Sequence, residues 1–271
     1  MQAFNNIGGL IVDMDGVLWH GDRPQPGLTE FFQILTALQL PYVLATNNAS
    51  QTADQYLTKL TNMGVAGCEP QILTSGMATA HYLAQHYPPA QTRIFTIGGS
   101  GVQVPLRQHG FVLTDSDDTS PGNRADLVVS GLDKALTWDK LCAAALHIQA
   151  GAQLIGTNGD VSLPSERGLL PGNGATLAAL CAATGAKATV IGKPEPEFYR
   201  QAMDILNVAP QTVVAVGDRL DTDILGAVNT GIRSLLLLSG ISSPADLAQL
   251  DYSPTWIMRD IEELTTALQQ L

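Results

Sequence analysis

Cysteine is nearly absent from this chain: Cys68, Cys142 and Cys181 are the only three in 271 residues. They are far apart and odd in number, and no CxxC or Cys/His spacing occurs. Neither a disulfide framework nor a zinc site is indicated. Each is expected to serve as a small buried hydrophobe. Positive charge is also scarce, with Lys+Arg 14 against Asp+Glu 25 and a formal net charge of −11. No basic stripe relieves the excess, so a nucleic-acid backbone would be repelled and no nucleic-acid partner is expected. Long apolar runs are missing too. Leu235 to Leu238 is far too short to span a bilayer, and the N-terminus reads as no leader. A cytoplasmic protein with no membrane partner is the expectation. There is no internal repeat and no long low-complexity segment.

What the chain does have is an apolar fraction of 45% with only 14% charged residues, the composition of a globular protein. Its length allows one large domain or two, each with a core of its own. Strand-like runs alternate with helical periodicity, which predicts an α/β fold with a largely parallel sheet. Leu28, Phe31, Phe32, Leu35 and Leu38 recur at helical spacing, and Pro41 to Ala45 reads as a strand. Ser50 is the expected N-cap of a helix carrying Tyr56, Leu57 and Leu60. After Ile72 to Thr74 and a helix through His86, Pro88-Pro89 marks a linker. A second α/β series follows, with strands at Ile94 to Ile97, Leu127 to Val129 and Leu154-Ile155. Gly185 to Lys187 reads as the return linker, and from Thr189 the first pattern resumes. The expected partition is a discontinuous core, 1–88 plus 188–271, with residues 89–187 inserted.

The most informative segment is Asp13-Met14-Asp15-Gly16, directly after the apolar run Ile7 to Val12. That run reads as a strand buried on both faces. Two carboxylates at its end are too costly as packing and need a metal, a partner or an opening to water. On a continuing strand both would point the same way. Three further segments each follow an apolar strand: Thr46-Asn47-Asn48, Gly192-Lys193-Pro194 and Gly217-Asp218-Arg219-Leu220-Asp221-Thr222-Asp223. In parallel strands all four would gather on one edge of the sheet, where α/β folds bind ligands. Acids, a hydroxyl and a lysine at one point suit phosphoryl transfer. Taken singly, Thr46 reads as a strand end, Asn47-Asn48 as a turn and Lys193 as a solvated lysine. Asp221 reads as a helix-opening acid.

In this order, the segments resemble motifs I to IV of the haloacid-dehalogenase-like (HAD) phosphohydrolases. The best match is the NagD-type, or 4-nitrophenylphosphatase-like, branch. Asp13 to Trp19, Thr46 to Asn48, Pro171 to Gly174, Gly192 to Pro194 and Gly217 to Ile224 all fit its pattern. The resemblance implies a doubly wound parallel-sheet (Rossmann-like) core with a smaller inserted α/β cap of the C2 type. It implies an Mg²⁺-dependent phosphomonoester phosphatase acting on small phosphorylated metabolites. Asp13 would be the nucleophile and would form an aspartyl-phosphate. Asp15 would be the general acid and base. Thr46, Asn47, Asn48 and Lys193 would bind phosphate. Asp13, the Asp15 backbone carbonyl and Asp218 would hold Mg²⁺, with Asp223 behind them orienting Lys193 or a metal-bound water. A homodimer through the cap is compatible with this family. A phosphotransferase or mutase with the same nucleophile, or a phospho-receiver that binds without hydrolysis, are the alternatives.

Other features carry less. Gly98-Gly99-Ser100-Gly101 lacks the spacing of a dinucleotide fingerprint and reads as a turn. Thr157 to Asp160 and Pro171 to Gly174 resemble the family's substrate-facing cap segments. Trp19 either packs under the cap or fills an edge of the core. The five histidines form no cluster.

Overall fold

The structure, a computed structural model, describes residues 4–65, 67, 70–165 and 167–271. Cys68 lies outside them. The elements in chain order are β1 (Gly9–Val12), β2 (Trp19–His20), β3 (Arg23–Pro24), α1 (Leu28–Ala37), β4 (Tyr42–Thr46), α2 (Ala53–Asn62), β5 (Gln71–Thr74) and α3 (Ser75–His86). Next come β6 (Arg93–Ile97), α4 (Ser100–Gln108), β7 (Val112–Thr114), β8 (Leu127–Ser130), α5 (Trp138–Gln149), β9 (Gln153–Gly156), β10 (Ser162–Ser165), β11 (Gly168–Pro171) and α6 (Asn173–Thr184). The chain closes with β12 (Ala188–Val190), α7 (Pro196–Leu206), β13 (Val213–Gly217), α8 (Leu225–Thr230), β14 (Arg233–Leu237), α9 (Pro244–Leu247), β15 (Trp256–Met258) and α10 (Ile261–Leu268).

The chain divides into two compact units: residues 1–46, 54–73 and 193–271, and residues 47–53 and 74–192. The first is built on a six-stranded sheet of order β15-β14-β13-β1-β4-β5. β1 pairs in parallel with both β4 and β13, and β14 runs parallel to β13 and β15. In chain order this is 3-2-1-4-5-6, so the strand sequence reverses between β1 and β13. In open α/β sheets the ligand crevice lies at the carboxyl ends of the strands flanking that reversal. β1 and β13 are buried along their whole length, which is why they read as unbroken apolar runs rather than alternations. α1 buries Leu28, Phe31, Phe32 and Leu35, one face at helical period. α7 does the same with Phe198, Tyr199, Ala202 and Leu206.

The second unit carries a five-stranded parallel sheet of order β12-β9-β8-β6-β7. Its core packs Phe95, Ile97, Val128, Leu154, Leu177 and Leu180. β10 and β11 form a separate antiparallel hairpin.

Several expectations need correction. β12 pairs with β9, so residues 188–190 belong to the second sheet, not to the first. A three-residue strand carries too little pattern to name its partner. Residues 47–53 and 74–88 likewise fall in the second unit rather than in the core. Ser50 does not cap α2, which begins at Ala53; its backbone N–H and hydroxyl donate to Asn48 Oδ1 at 3.0 and 2.7 Å. Ser100-Gly101 is not a turn but the first turn of α4. Cys142 and Cys181 are half-buried free thiols rather than core residues.

Candidate active site

Asp13 is the first residue beyond β1, and its backbone N–H donates to Val216 O at 2.8 Å. Asp218 is the first residue beyond β13. The two carboxylates therefore flank the strand-order reversal. Asp13, Asp218 and Asp223 are buried, and each offers an oxygen within 4.8 Å of the others. Lys193, only 4% exposed, lies among them. Its Nζ donates to Asp13 Oδ1, to Asp223 Oδ1 at 2.7 Å and to Ala45 O at 3.1 Å. Thr46, also buried, ends the adjacent strand β4.

The sequence expects all four segments to follow strands of one sheet. Three do, at β1, β4 and β13, while Lys193 follows β12 of the other sheet. β1 also ends at Val12, so Asp15 does not share the strand's alternation with Asp13. Asp13 is buried, whereas Asp15 is exposed and its Oδ1 accepts from Trp19 Nε1 at 2.9 Å.

The chain beyond β13 decides which acid turns inward. Residues 220–224 form a widened helical turn, with the Asp223 and Ile224 N–H groups both donating to Arg219 O. This leaves Asp221 outside, in an ion pair with Arg219 at 2.8 Å. Asp223 points inward, with Oδ1 on Lys193 and Oδ2 accepting from Arg219 N at 3.1 Å. Sequence reading missed the turn after β14. There Ile241 N donates to Asp218 Oδ2 at 2.8 Å, and a side chain at Gly240 would collide with Asp218. The signal was available, because Ser239-Gly240 follows an apolar strand as the other segments do. Gly16, at φ +90°, likewise leaves no room for a Cβ beside Asp218.

Electrostatics follow from burial. Loss of water pushes the Asp13 carboxyl well above the ordinary range; Lys193 opposes this, and Asp223 and Asp218 add to it. Burial, with Asp223 beside it, pushes Asp218 up to about 6. At Lys193 burial acts to lower the ammonium, but Asp13 and Asp223 outweigh it and hold it well above its usual value.

Fully ionised, three carboxylates against one ammonium would leave this buried cluster two negative charges in excess, which is what raises Asp13 and Asp218 beyond the effect of burial. Asp218 Oδ1 is buried and has no hydrogen-bond partner among the described residues. Both Asp223 oxygens already accept hydrogen bonds. The donor set is all oxygen. These features fit a hard divalent cation held by Asp218 and Asp13.

In the second unit, Asn47 and the two asparagine-containing segments meet. The Asn47 carbonyl accepts from Asn158 Nδ2 at 2.7 Å and from Ser75 Oγ at 2.6 Å. Asn173, in the Pro171 to Gly174 segment, donates to Asn158 O and Ser130 O at 2.8 and 3.0 Å. Asn48 spends its carboxamide oxygen on the turn to Ser50.

Known proteins resemble this chain over nearly its whole length. A family model described as haloacid dehalogenase-like hydrolase matches residues 10–112, and a HAD-hydrolase-like model matches 190–264. An acid sugar phosphatase of Staphylococcus saprophyticus is 34% identical over 265 residues, covering 98% of this chain and 99% of that protein. The crystal structure of a 4-nitrophenylphosphatase from Thermotoga maritima has a TM-score of 0.89 at 34% identity, over 97% of this chain and 98% of that one. A glycerol phosphate phosphatase from Mycobacterium tuberculosis, solved in complex with magnesium, has a TM-score of 0.86 at 35% identity, over 96% of this chain and 77% of that one.

Proposed function

Because the chain belongs to the haloacid dehalogenase-like hydrolase family, we propose that it is a Mg²⁺-dependent phosphatase acting on phosphate monoesters of small metabolites through an aspartyl-phosphate at Asp13. The reading rests above all on the convergence of Asp13, Lys193, Asp218 and Asp223. A buried carboxylate held beside an ammonium is a nucleophile with its charge balanced until an ester arrives. Lys193 is placed to neutralise charge on the transferring group. Thr46 and the backbone amide of Asn47 donate to phosphate oxygens. Asp15, exposed two residues beyond the nucleophile, protonates the leaving oxygen and later deprotonates water. Asp13, the Asp15 carbonyl and Asp218 hold Mg²⁺, which supplies positive charge that screens Asp13 from an anionic ester. Asp223 holds Lys193. Residues 74–192 serve as the cap. No described helix is long and apolar enough to cross a membrane. The free thiols of Cys142 and Cys181 suit the cytoplasm.

The test is a panel of sugar phosphates, glycerol phosphate, nucleoside monophosphates, phosphoglycolate and 4-nitrophenyl phosphate, ranked by kcat/KM with Mg²⁺. Stoichiometric inorganic phosphate is expected with or without added alcohols. Transfer of phosphate to the alcohol in place of water would make the protein a phosphotransferase. A long-lived phosphoprotein without turnover would make it a receiver.

Cation binding has its own signature. Asp218, ordinarily an acid near 3.8, is raised to about 6, so protons compete with the cation as the pH falls through that value. Saturating MgCl₂ should raise Tm clearly at pH 7.5, since a ligand at 100 times its Kd stabilises by about 2.7 kcal/mol. At pH 5 about half of that shift should vanish, since protonation near 6 weakens the site about tenfold. An equal shift at both pH values would remove Asp218 from the cation site.

A further inference from the structure

We infer that Trp19 is a positioning residue for Asp15, held in place by the face of α2 that also holds Thr46. The inference rests on the proposed role of Asp15 as general acid. Trp19 is fully buried, yet its indole N–H donates to the exposed Asp15 at 2.9 Å. That donor has no route to water. If Asp15 turned away, the N–H would be left buried and unsatisfied, which opposes any other rotamer. The indole thus holds one rotamer of a carboxylate that burial leaves unconstrained.

The indole itself cannot shift freely. Tyr56 stacks on it, with centroids 6.3 Å apart and planes at 17°. Lys59, one helical turn further along α2, sets its Nζ 4.6 Å from the ring centroid. Tyr56 is buried as well, and its phenol hydrogen-bonds with the Thr46 side chain. A single helix face therefore braces two parts of the site, Asp15 through Trp19 and Thr46 directly.

The chemistry gives the indole a defined task. An indole N–H donates only, so it takes a lone pair of Asp15 Oδ1 and leaves Oδ2 as the oxygen free to pass a proton to the leaving group. As an Asp13 oxygen bonds to phosphorus, the bond from phosphorus to the ester oxygen breaks and its electron pair leaves with that oxygen. The ester oxygen takes the proton from Oδ2, and Asp15 becomes a carboxylate that the indole N–H already faces.

The test separates positioning from packing by leaving group. 4-Nitrophenolate departs without a proton, whereas an alkoxide needs one. kcat/KM reports only steps up to that departure, so hydrolysis of the phosphoenzyme does not enter. Trp19 is replaced site-specifically by 3-benzothienylalanine, which keeps the bicyclic shape and lacks the N–H. Trp19→Phe and Asp15→Asn are measured beside it, with Tm for each. The isostere should lose about tenfold or more in kcat/KM on glycerol phosphate, a small part of the 10²–10⁴ range for a general acid. It should lose less than about threefold on 4-nitrophenyl phosphate, with Tm nearly unchanged, because only the proton-requiring step feels the lost N–H. Equal losses on the two esters, or none, would overturn the inference, and because the isostere preserves packing it decides even if Trp19→Phe misfolds. Asp15→Asn serves as the control on the underlying reading. If it treats both esters alike, Asp15 is not the acid; if it discriminates while the isostere does not, only the role of Trp19 falls.

Discussion

Asp13→Asn is expected to stop turnover, with a loss of about 10⁴-fold or more, as when a covalent nucleophile is removed. A carboxamide oxygen is a poor nucleophile, and Asp223, the other carboxylate on Lys193, already spends both oxygens on hydrogen bonds. The fold should survive. The introduced carboxamide oxygen can still accept from Lys193, which keeps Asp223 at 2.7 Å. Removing one of three crowded acids also relieves a group that burial holds far above its ordinary pKa. Tm without Mg²⁺ should therefore be unchanged or higher. Phosphate release from 4-nitrophenyl phosphate, with acid-quench trapping of the hydroxylamine-labile phosphoprotein, checks both halves. Retained turnover would demand a different attacking group.

Lys193→Met should damage both rate and stability. Losing one donor to the transition state typically costs on the order of 10²–10³ in rate. A loss below about tenfold would place Lys193 outside the reaction. Stability should fall by about 3–5 kcal/mol at pH 7.5, the usual penalty for removing one partner of a buried ion pair. Here two partners, Asp13 and Asp223, are left without their counter-charge. The sign with pH follows. Acids whose folded pKa is raised bind more protons when folded, so stability falls as pH rises through the raised values. The variant should regain stability as the pH falls from 7.5 to 5, because Asp13, already raised by burial and now without the opposing lysine, takes up a proton. Denaturant midpoints across that range test it; a pH-independent deficit would mean that the lysine acts by packing alone.

Much of the site was legible because of how parallel sheets are built. Strands covered on both faces carry no polar residue until they end. The acids and the hydroxyl at the ends of β1, β4 and β13 therefore stand out as Asp13, Thr46 and Asp218. Lys193 was legible only as a member of the set, since its own strand is short and joins the other sheet. Ile241 and Gly240 were passed over because their contribution is a backbone N–H and an absent side chain, which carry no chemical label in a sequence. Composition and spacing offer Trp19 two packing roles and no polar one. Its partners Tyr56 and Lys59 lie more than thirty positions away, and no periodicity links them to Asp15.

The amino-acid order by itself determined the α/β class, the chemical inventory of the site and the strand ends that carry it. All of these follow from local rules of apolar runs and turn residues. Only the tertiary structure decided that Asp223 rather than Asp221 meets Lys193, that β12 leaves the first sheet, and that Asp15 is held by an indole. Spacing along a chain fixes which face a residue takes within one regular element. It does not fix the pitch of an irregular turn, or the partner that a buried donor finds across the fold.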